Sequence, residues 1–175
     1  ITAWAKLNAA LFHSSTAENV LIGSDGWLFY APTLDDYTGD APMTAREIYC
    51  AARTLYLLQE YAESRGGDFL FTAAPNKNTL YGEYMPARTR LGGVSNMDAL
   101  YARLDEMDVS YLDLRDIFSQ EAEPLYFKTD SHWNAKGAAL AADALLAALG
   151  RQSDFYAAAV PAGNTHRGDL YEMLY

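Results

Sequence analysis

Two side chains able to form a catalytic relay lie two residues apart in a polar segment of this sequence. Asp130 and His132 stand within residues 126–134, which read Tyr-Phe-Lys-Thr-Asp-Ser-His-Trp-Asn. In an irregular turn, an aspartate two residues before a histidine can accept a hydrogen bond from the imidazole Nδ1–H. That bond fixes the tautomer and leaves Nε2 free as a general base. Such a pair is half of a serine-hydrolase relay.

The same residues have two other interpretations, which the sequence leaves open. Asp130 or Asn134 can serve only to cap a helix that begins near residue 134. Asp and His are also metal ligands, and an Asp-His metal site would give a metal-dependent hydrolase. The metal interpretation has less support, because His13 and His166 do not stand at ligand spacing from His132.

Three further polar side chains are candidates for contacts with a substrate. Lys77 can attract an anionic sugar, and Asn76 can donate to an oxyanion, since both follow a predicted strand. Alternatively, Asn76 only forms a turn and Lys77 is solvated. Arg167 can contact a uronate carboxylate, or it is an ordinary surface cation.

Aromatic side chains are numerous, with thirteen tyrosines in the chain. Tyr81 is a candidate for stacking on a sugar ring, although aromatic residues also fill half-buried positions in any α/β domain. Trp133, next to His132, is expected to contribute to the site by shielding the Asp-His pair from water.

The elements that must position these residues follow from local patterns. The N-terminal stretch 1–12 is predicted to be a helix. Residues 20–22 are predicted to form a strand, and Asp25-Gly26 between apolar runs predicts a β-hairpin. Helices are predicted over 44–65, 95–107 and 134–149, and strands over 68–74 and 109–112. The alternation predicts an α/β fold: an open, mostly parallel sheet flanked by helices, with the N-terminal helix and the hairpin attached.

The longest predicted helix, 44–65, has an apolar stripe that we expect to face the core. The stripe includes Ile48, Ala52, Leu55 and Leu58, at helical spacing. Cys50 is the only cysteine of the sequence, which excludes an internal disulfide, and we expect it to be a small buried side chain of this helix.

Composition limits the classes of partner. The net charge of −10 disfavours nucleic acid and anionic lipid. No apolar run approaches the roughly 20 residues that span a bilayer, so we expect no transmembrane segment. The length of 175 residues suits one compact domain or most of a larger one.

The sequence resembles the SGNH-hydrolase-like alginate O-acetyltransferases of the AlgX/AlgJ type, including the group named for an Asp-His-His-Trp motif. Four segments in the same order carry the resemblance, and they span nearly the whole chain: 23–29, 74–81, 129–137 and 166–170. Ser131 stands where the motif name has its first histidine.

The resemblance implies an SGNH-hydrolase-like fold, with Asp130 orienting His132 and His132 deprotonating a serine. The family nucleophile lies in a Gly-Asp-Ser sequence, which is absent here, so we expect residues 1–175 to be one domain lacking its nucleophile-bearing part. The implied activity is O-acetyl transfer to, or removal from, an exported polysaccharide, in the periplasm or outside the cell. The acetyl donor would come through a membrane-bound acyltransferase partner, and no cofactor is implied. A non-catalytic polysaccharide-binding scaffold is the alternative.

Overall fold

A computed structural model of the chain describes residue 15 and residues 17–86, 92–161 and 166–174. The predicted N-terminal helix over 1–12 lies outside these residues. In chain order the elements are β1 Val20–Ile22, β2 Leu28–Tyr30, α1 Leu34–Thr38, α2 Ala45–Ser64, β3 Phe71–Ala73, α3 Lys77–Leu80, α4 Asn96–Glu106, β4 Tyr111–Asp113, α5 Leu114–Ser119, α6 Ala135–Ala148, α7 Phe155–Ala158 and α8 Asp169–Leu174. Short 3-10 turns follow β2 and α3, at Ala31–Thr33 and Gly82–Tyr84.

The predicted hairpin is confirmed. Strands β1 and β2 pair antiparallel, with Val20 opposite Tyr30 and Ile22 opposite Leu28. Asp25 and Gly26 have φ angles of 50° and 78°. Two consecutive positive φ angles match the right-handed twist of the strands, which is why Asp-Gly favours this turn.

The α/β prediction is also confirmed. Strand β3 is connected to strand β4 through the short helix α3 and the longer helix α4, and β3 and β4 pair in parallel with Phe71 opposite Tyr111. Helices α2 and α4 pack against each other beside this pair. A parallel pair joined through a helix is the basic unit of open α/β sheets. The polar turn after β3 therefore lies where such sheets bind ligands, at the carboxyl ends of the strands.

The three long helices begin where local capping signals predict. Thr44 with Glu47, and Ser95 with Asp98, each form a reciprocal capping box. At the start of α6 the Asn134 side chain accepts a hydrogen bond from the backbone N–H of Gly137. Asn134 is therefore the cap of this helix, and Asp130 is left for other contacts.

The buried face of α2 differs from the predicted stripe. Ile48 and Ala52 are buried as expected, but Leu58 is exposed and its neighbour Gln59 is buried. The Gln59 amide bonds backbone groups of Asp108 and Ser110 that precede β4, which satisfies it inside the core. The prediction of a buried Cys50 is wrong: the thiol is exposed because residue 50 lies roughly 200° around the helix from Ile48.

Two apolar clusters hold the site region together. The larger one is built around Trp27, Phe29, Leu114, Leu125 and Tyr126, which are all buried. A smaller cluster joins the hairpin to α8 through Val20, Leu28, Leu170 and Leu174. The second cluster matters for function because it brings residues 166–169, which lead into α8, against the segment that carries Asp130.

Among the described residues, no helix has the length and apolar character needed to cross a membrane.

Candidate active site

Asp130 and His132 are bonded to each other. Oδ1 of Asp130 lies 2.7 Å from Nδ1 of His132 and also accepts the backbone N–H of His132 at 3.0 Å. A carboxylate on Nδ1 selects the tautomer protonated there, so that Nε2 carries the free lone pair. The carboxylate side chain is 14% exposed and the imidazole 75% exposed. Within the described residues Nε2 has no hydrogen-bond partner.

The imidazole borders a cavity of about 320 Å³. One wall is formed by residues 126–134, called the motif segment below, which contribute Ser131, His132 and Trp133. The other wall is the turn after β3, which contributes Pro75 and Asn76. This position is the carboxyl end of the parallel strands, where open α/β sheets place their ligands. The free nitrogen of the relay is therefore on the side of the molecule where a substrate can approach.

Lys77 occupies a different place from the one expected of a substrate-binding cation. Its side chain is buried, and its Nζ donates to the backbone carbonyls of Leu28 at 2.7 Å, Lys128 at 2.9 Å and Asp130 at 2.9 Å. Burial lowers the pKa of Lys77 to about 7, while the charges of Asp130 and Asp169 act to raise it. Only the ammonium form has three N–H donors for three carbonyls. The amine thus holds the motif segment to β2 instead of pointing at a sugar.

The aromatic candidates also have internal partners. The Tyr81 hydroxyl accepts the backbone N–H of Leu125 at 2.7 Å, and its ring stacks on Trp27 with centroids 4.5 Å apart. Tyr81 therefore packs in the core beneath the site. Trp133 is half-buried: its ring lies 5.9 Å from that of Phe118, and it lines the cavity next to His132.

Asn76 and Arg167 have different surroundings. Asn76 is half-buried, lines the cavity and has its amide 3.5 Å from an oxygen of Asp36. Asn76 is therefore placed to contact a molecule bound beside His132. Arg167 is exposed, and its guanidinium lies 5.5 Å from the ring centre of Tyr171.

Two residues outside the predicted set, Asp169 and His166, also contact the segment that carries the Asp-His pair. The Asp169 carboxylate accepts both the backbone N–H of Ser131 at 2.7 Å and its hydroxyl at 2.5 Å. His166 places Nε2 3.0 Å from Oδ2 of Asp130. Both belong to the segment 166–170, one of the four that carry the family resemblance. That membership was the available signal for their role.

Electrostatics favour an ionised acid and a basic imidazole. Burial acts to raise the pKa of Asp130, but hydrogen bonds from His166, from the backbone and ring of His132 and from the backbone of Asp169 hold it well below its usual range. The hydrogen bond to Asp130 raises the pKa of His132; slight burial opposes this, and the charges of Asp130 and Asp169 add to it. A carboxylate that stays charged is what stabilises an imidazolium during proton transfer.

Asp130, His132 and Asp169 are also the described residues most able to hold a metal ion. One ligand atom from each lies within 4.8 Å of the others. However, the Asp169 oxygens are bonded to Ser131, and Nδ1 of His132 is bonded to Asp130. An ion bound between them would have to displace these hydrogen bonds, so the geometry fits a relay better than a metal centre.

Comparison with known proteins identifies the family of this chain. Residues 20–174 match the family described as the SGNH hydrolase-like domain of the acetyltransferase AlgX. Two relatives are named probable alginate O-acetylase AlgJ. The one from Pseudomonas putida is 27% identical, over 98% of this chain and 46% of the relative's own length. The one from Pseudomonas aeruginosa is 28% identical, over 98% of this chain and 44% of the relative's own length. The chain thus spans about half the length of these relatives.

Solved structures show the same fold. The O-acetyltransferase domain of Pseudomonas putida AlgJ superposes with a TM-score of 0.63 at 23% identity, over 90% of this chain and 58% of that one. Pseudomonas aeruginosa AlgX superposes with a TM-score of 0.54 at 23% identity, over 77% of this chain and 33% of the AlgX chain. With the family match extending over 20–174, the chain belongs to the SGNH hydrolase-like family of the acetyltransferase AlgX.

Proposed function

We propose that this chain contributes the acid and the base of a Ser-His-Asp site that transfers acetyl groups to an exported polysaccharide. The observation that supports this most directly is the 2.7 Å contact between Oδ1 of Asp130 and Nδ1 of His132, whose exposed imidazole borders the cavity. In a relay of this kind the acid holds the ring, and the far nitrogen carries the proton.

The reaction has two steps. In the first, Nε2 of His132 takes the proton of a serine hydroxyl, whose oxygen attacks the acetyl carbonyl of the donor. The bond between acetyl and donor breaks, and His132 returns the proton to the leaving group, which produces an acetyl-serine ester. In the second, Nε2 takes the proton of a sugar hydroxyl, which attacks the ester, and the serine oxygen regains a proton. Water in place of the sugar gives an esterase.

The nucleophile is expected from a Gly-Asp-Ser sequence outside these 175 residues, and without it this chain alone would be inactive. Ser131 is poorly placed for that role, because its hydroxyl lies 3.3 Å from Nδ1 of His132 and donates to Asp169. A nucleophile must approach Nε2, on the other edge of the ring. We treat residues 1–175 as part of one SGNH-hydrolase-like domain that is completed by the segment carrying this serine.

The polysaccharide is proposed to be alginate or a related uronate polymer. Two relatives carry the name probable alginate O-acetylase, and this name supports the assignment. The reaction would then take place in the cell envelope, in the periplasm or outside the cell. A membrane-bound acyltransferase would supply the acetyl group. Asn76 and Trp133, which line the cavity, are the proposed contacts with acceptor or acetyl group.

A polysaccharide-binding scaffold without chemistry is the second candidate. The half-buried Trp133 and the open cavity would suit a sugar whether or not a reaction follows. The exposed Nε2 of His132 favours the enzyme, because a binding protein has no need of a relay whose far nitrogen is unpartnered.

The test is to incubate the full-length protein with p-nitrophenyl acetate and alginate oligosaccharides. Release of nitrophenol is followed by absorbance, and mass spectrometry reports an acetylated serine and acetylated oligosaccharides. Release of nitrophenol that persists in EDTA, together with acetylated oligosaccharide, supports acetyl transfer by a metal-independent relay. Binding of the oligosaccharide without release supports the scaffold, and activity lost with EDTA supports a metal-dependent hydrolase.

A further inference from the structure

Asp130 contacts two imidazoles, one on each oxygen. Oδ1 lies 2.7 Å from Nδ1 of His132, and Oδ2 lies 3.0 Å from Nε2 of His166. The backbone N–H of Asp169 also points to Oδ2, at 3.3 Å. The oxygen that does not face the relay is therefore held by a group from a separate segment of the chain.

We propose that His166 is a positioning residue for the relay: by donating Nε2–H to Oδ2 of Asp130, it fixes the carboxylate in the orientation that directs Oδ1 to His132. The proposal deepens the proposed function and rests on it for its catalytic consequence. With Oδ1 bonded to His132 and Oδ2 bonded to His166, rotation of the carboxylate about its Cβ–Cγ bond is restrained, so the bond to Nδ1 is kept in one geometry. Second-sphere hydrogen bonds of this kind commonly fix the orientation of functional side chains.

His166 is itself held in place by two contacts. Its ring stacks on that of Phe127, with centroids 3.9 Å apart and planes 23° from parallel. Its carbonyl accepts the hydroxyl of Thr129 at 2.9 Å. Both partners lie in the motif segment, so His166 is packed against the same loop whose carboxylate it contacts. A side chain fixed in this way can restrain another one.

His166 is the less suitable of the two imidazoles to act as the base. It borders a different cavity, lined by Gly26, Glu123 and Lys128, while His132 borders the cavity at the strand ends. The charged groups around the two imidazoles are Asp130, Asp169 and Lys77, together with Glu123 and Lys128 in the cavity that His166 borders. Lys77 bonds Asp130 through its main-chain carbonyl, which leaves both carboxylate oxygens to the imidazoles and to the backbone N–H groups of His132 and Asp169.

Two substitutions separate donation from packing. His166→Phe keeps an aromatic ring against Phe127 and removes the donor. His166→Gln removes the ring and keeps an amide N–H that can reach the position of Nε2. In the full-length protein labelled with ¹⁵N-histidine, the nitrogen shifts of His132 report its tautomer at a pH where the ring is neutral. We expect the Nδ1–H form in the wild type and in His166→Gln, and a mixture of both forms in His166→Phe.

The turnover of p-nitrophenyl acetate gives the second readout. His166→Phe should lower kcat/KM on the order of 10-fold, mostly through kcat, while His166→Gln keeps most of the activity. An unchanged His132 tautomer in His166→Phe would overturn the proposal, and so would a loss in His166→Gln as large as in His166→Phe. The nitrogen shifts need no turnover. If the wild type had no esterase activity, the proposed function would be contradicted. The nitrogen shifts of His132 would still test the role of His166.

Discussion

The amine of Lys77 donates a hydrogen bond of 2.9 Å to the main-chain carbonyl of Asp130, which ties the turn after β3 to the segment that carries the relay. The same amine reaches the carbonyls of Leu28 and Lys128, so one buried cation joins three parts of the chain. The position of the relay therefore depends on a side chain that does not face the substrate. This arrangement separates residues that do chemistry from residues that hold them.

Lys77→Met should destabilise the protein by about 3 kcal/mol, because the buried Leu28 carbonyl and the half-buried Asp130 carbonyl lose this donor and the Lys128 carbonyl keeps only the backbone N–H of Leu28. Urea denaturation followed by circular dichroism measures the effect. Lys128→Met is the matched control: Lys128 is exposed, and among the described residues its Nζ contacts the Asp25 carbonyl at 3.2 Å and the Trp27 ring. Its replacement should cost about 0.5 kcal/mol or less. Equal losses in the two variants would mean that Lys77 has no anchoring role.

Gly168→Ala should disturb the relay through a steric clash. A Cβ at residue 168 would lie 2.3 Å from the Cβ of Asp130 and 2.5 Å from the Thr129 carbonyl oxygen. The motif segment must move to make room, which we expect to cost about 2 kcal/mol and to lower kcat/KM at least roughly 10-fold. Gly93→Ala is the control, since nothing lies within 4 Å of its added Cβ. Wild-type kinetics in Gly168→Ala would show that the close approach is not needed.

Ser131→Ala should retain activity within about threefold of the wild type. The hydroxyl of Ser131 donates to Asp169, while its backbone N–H, which the substitution keeps, makes a second bond to the same carboxylate. Steady-state kinetics with p-nitrophenyl acetate provide the measurement. A loss as complete as expected for a nucleophile would identify Ser131 as the acylated residue and replace the serine proposed outside this chain.

Activity should depend on pH through His132. The base must be neutral, so kcat/KM should fall as pH decreases through the pKa of His132, which contacts with Asp130 raise above its ordinary value of 6.5. Asp130→Asn removes the charge and the acceptor that raise this pKa, and the acid limb should therefore move to lower pH. The plateau should also drop, by about 10²- to 10⁴-fold, because the amide no longer selects one tautomer. A pH–rate profile showing the limb at higher pH in Asp130→Asn would contradict this assignment.

Local signals were sufficient to predict most of the secondary structure. The capping boxes at Thr44 and Ser95 mark helix starts through contacts three residues apart, and Asp25-Gly26 marks the hairpin through its own backbone preference. The Asp130–His132 contact is also local. Signals of this range are present in the sequence itself, which is why they can be recognised without coordinates.

The remaining features depend on distant parts of the chain. A lysine after Pro-Asn has the pattern of a solvated turn, and its burial arises from carbonyls 49 to 53 residues away. His166 meets Asp130 across 36 residues, and the packing of α8 on the hairpin helps to bring it there. The burial of Gln59 in place of Leu58 likewise depends on backbone groups near β4. Single-sequence patterns contain no record of such pairings.

The most direct test of the relay is kcat/KM for acetyl-ester turnover by His132→Ala in the full-length protein, with circular dichroism as the check on folding. The imidazole is 75% exposed, so its removal should leave the fold unchanged. The relay predicts a fall in kcat/KM of about 10²- to 10⁴-fold. A folded His132→Ala variant that turns over the ester at the wild-type rate would contradict the assignment of His132 as the base.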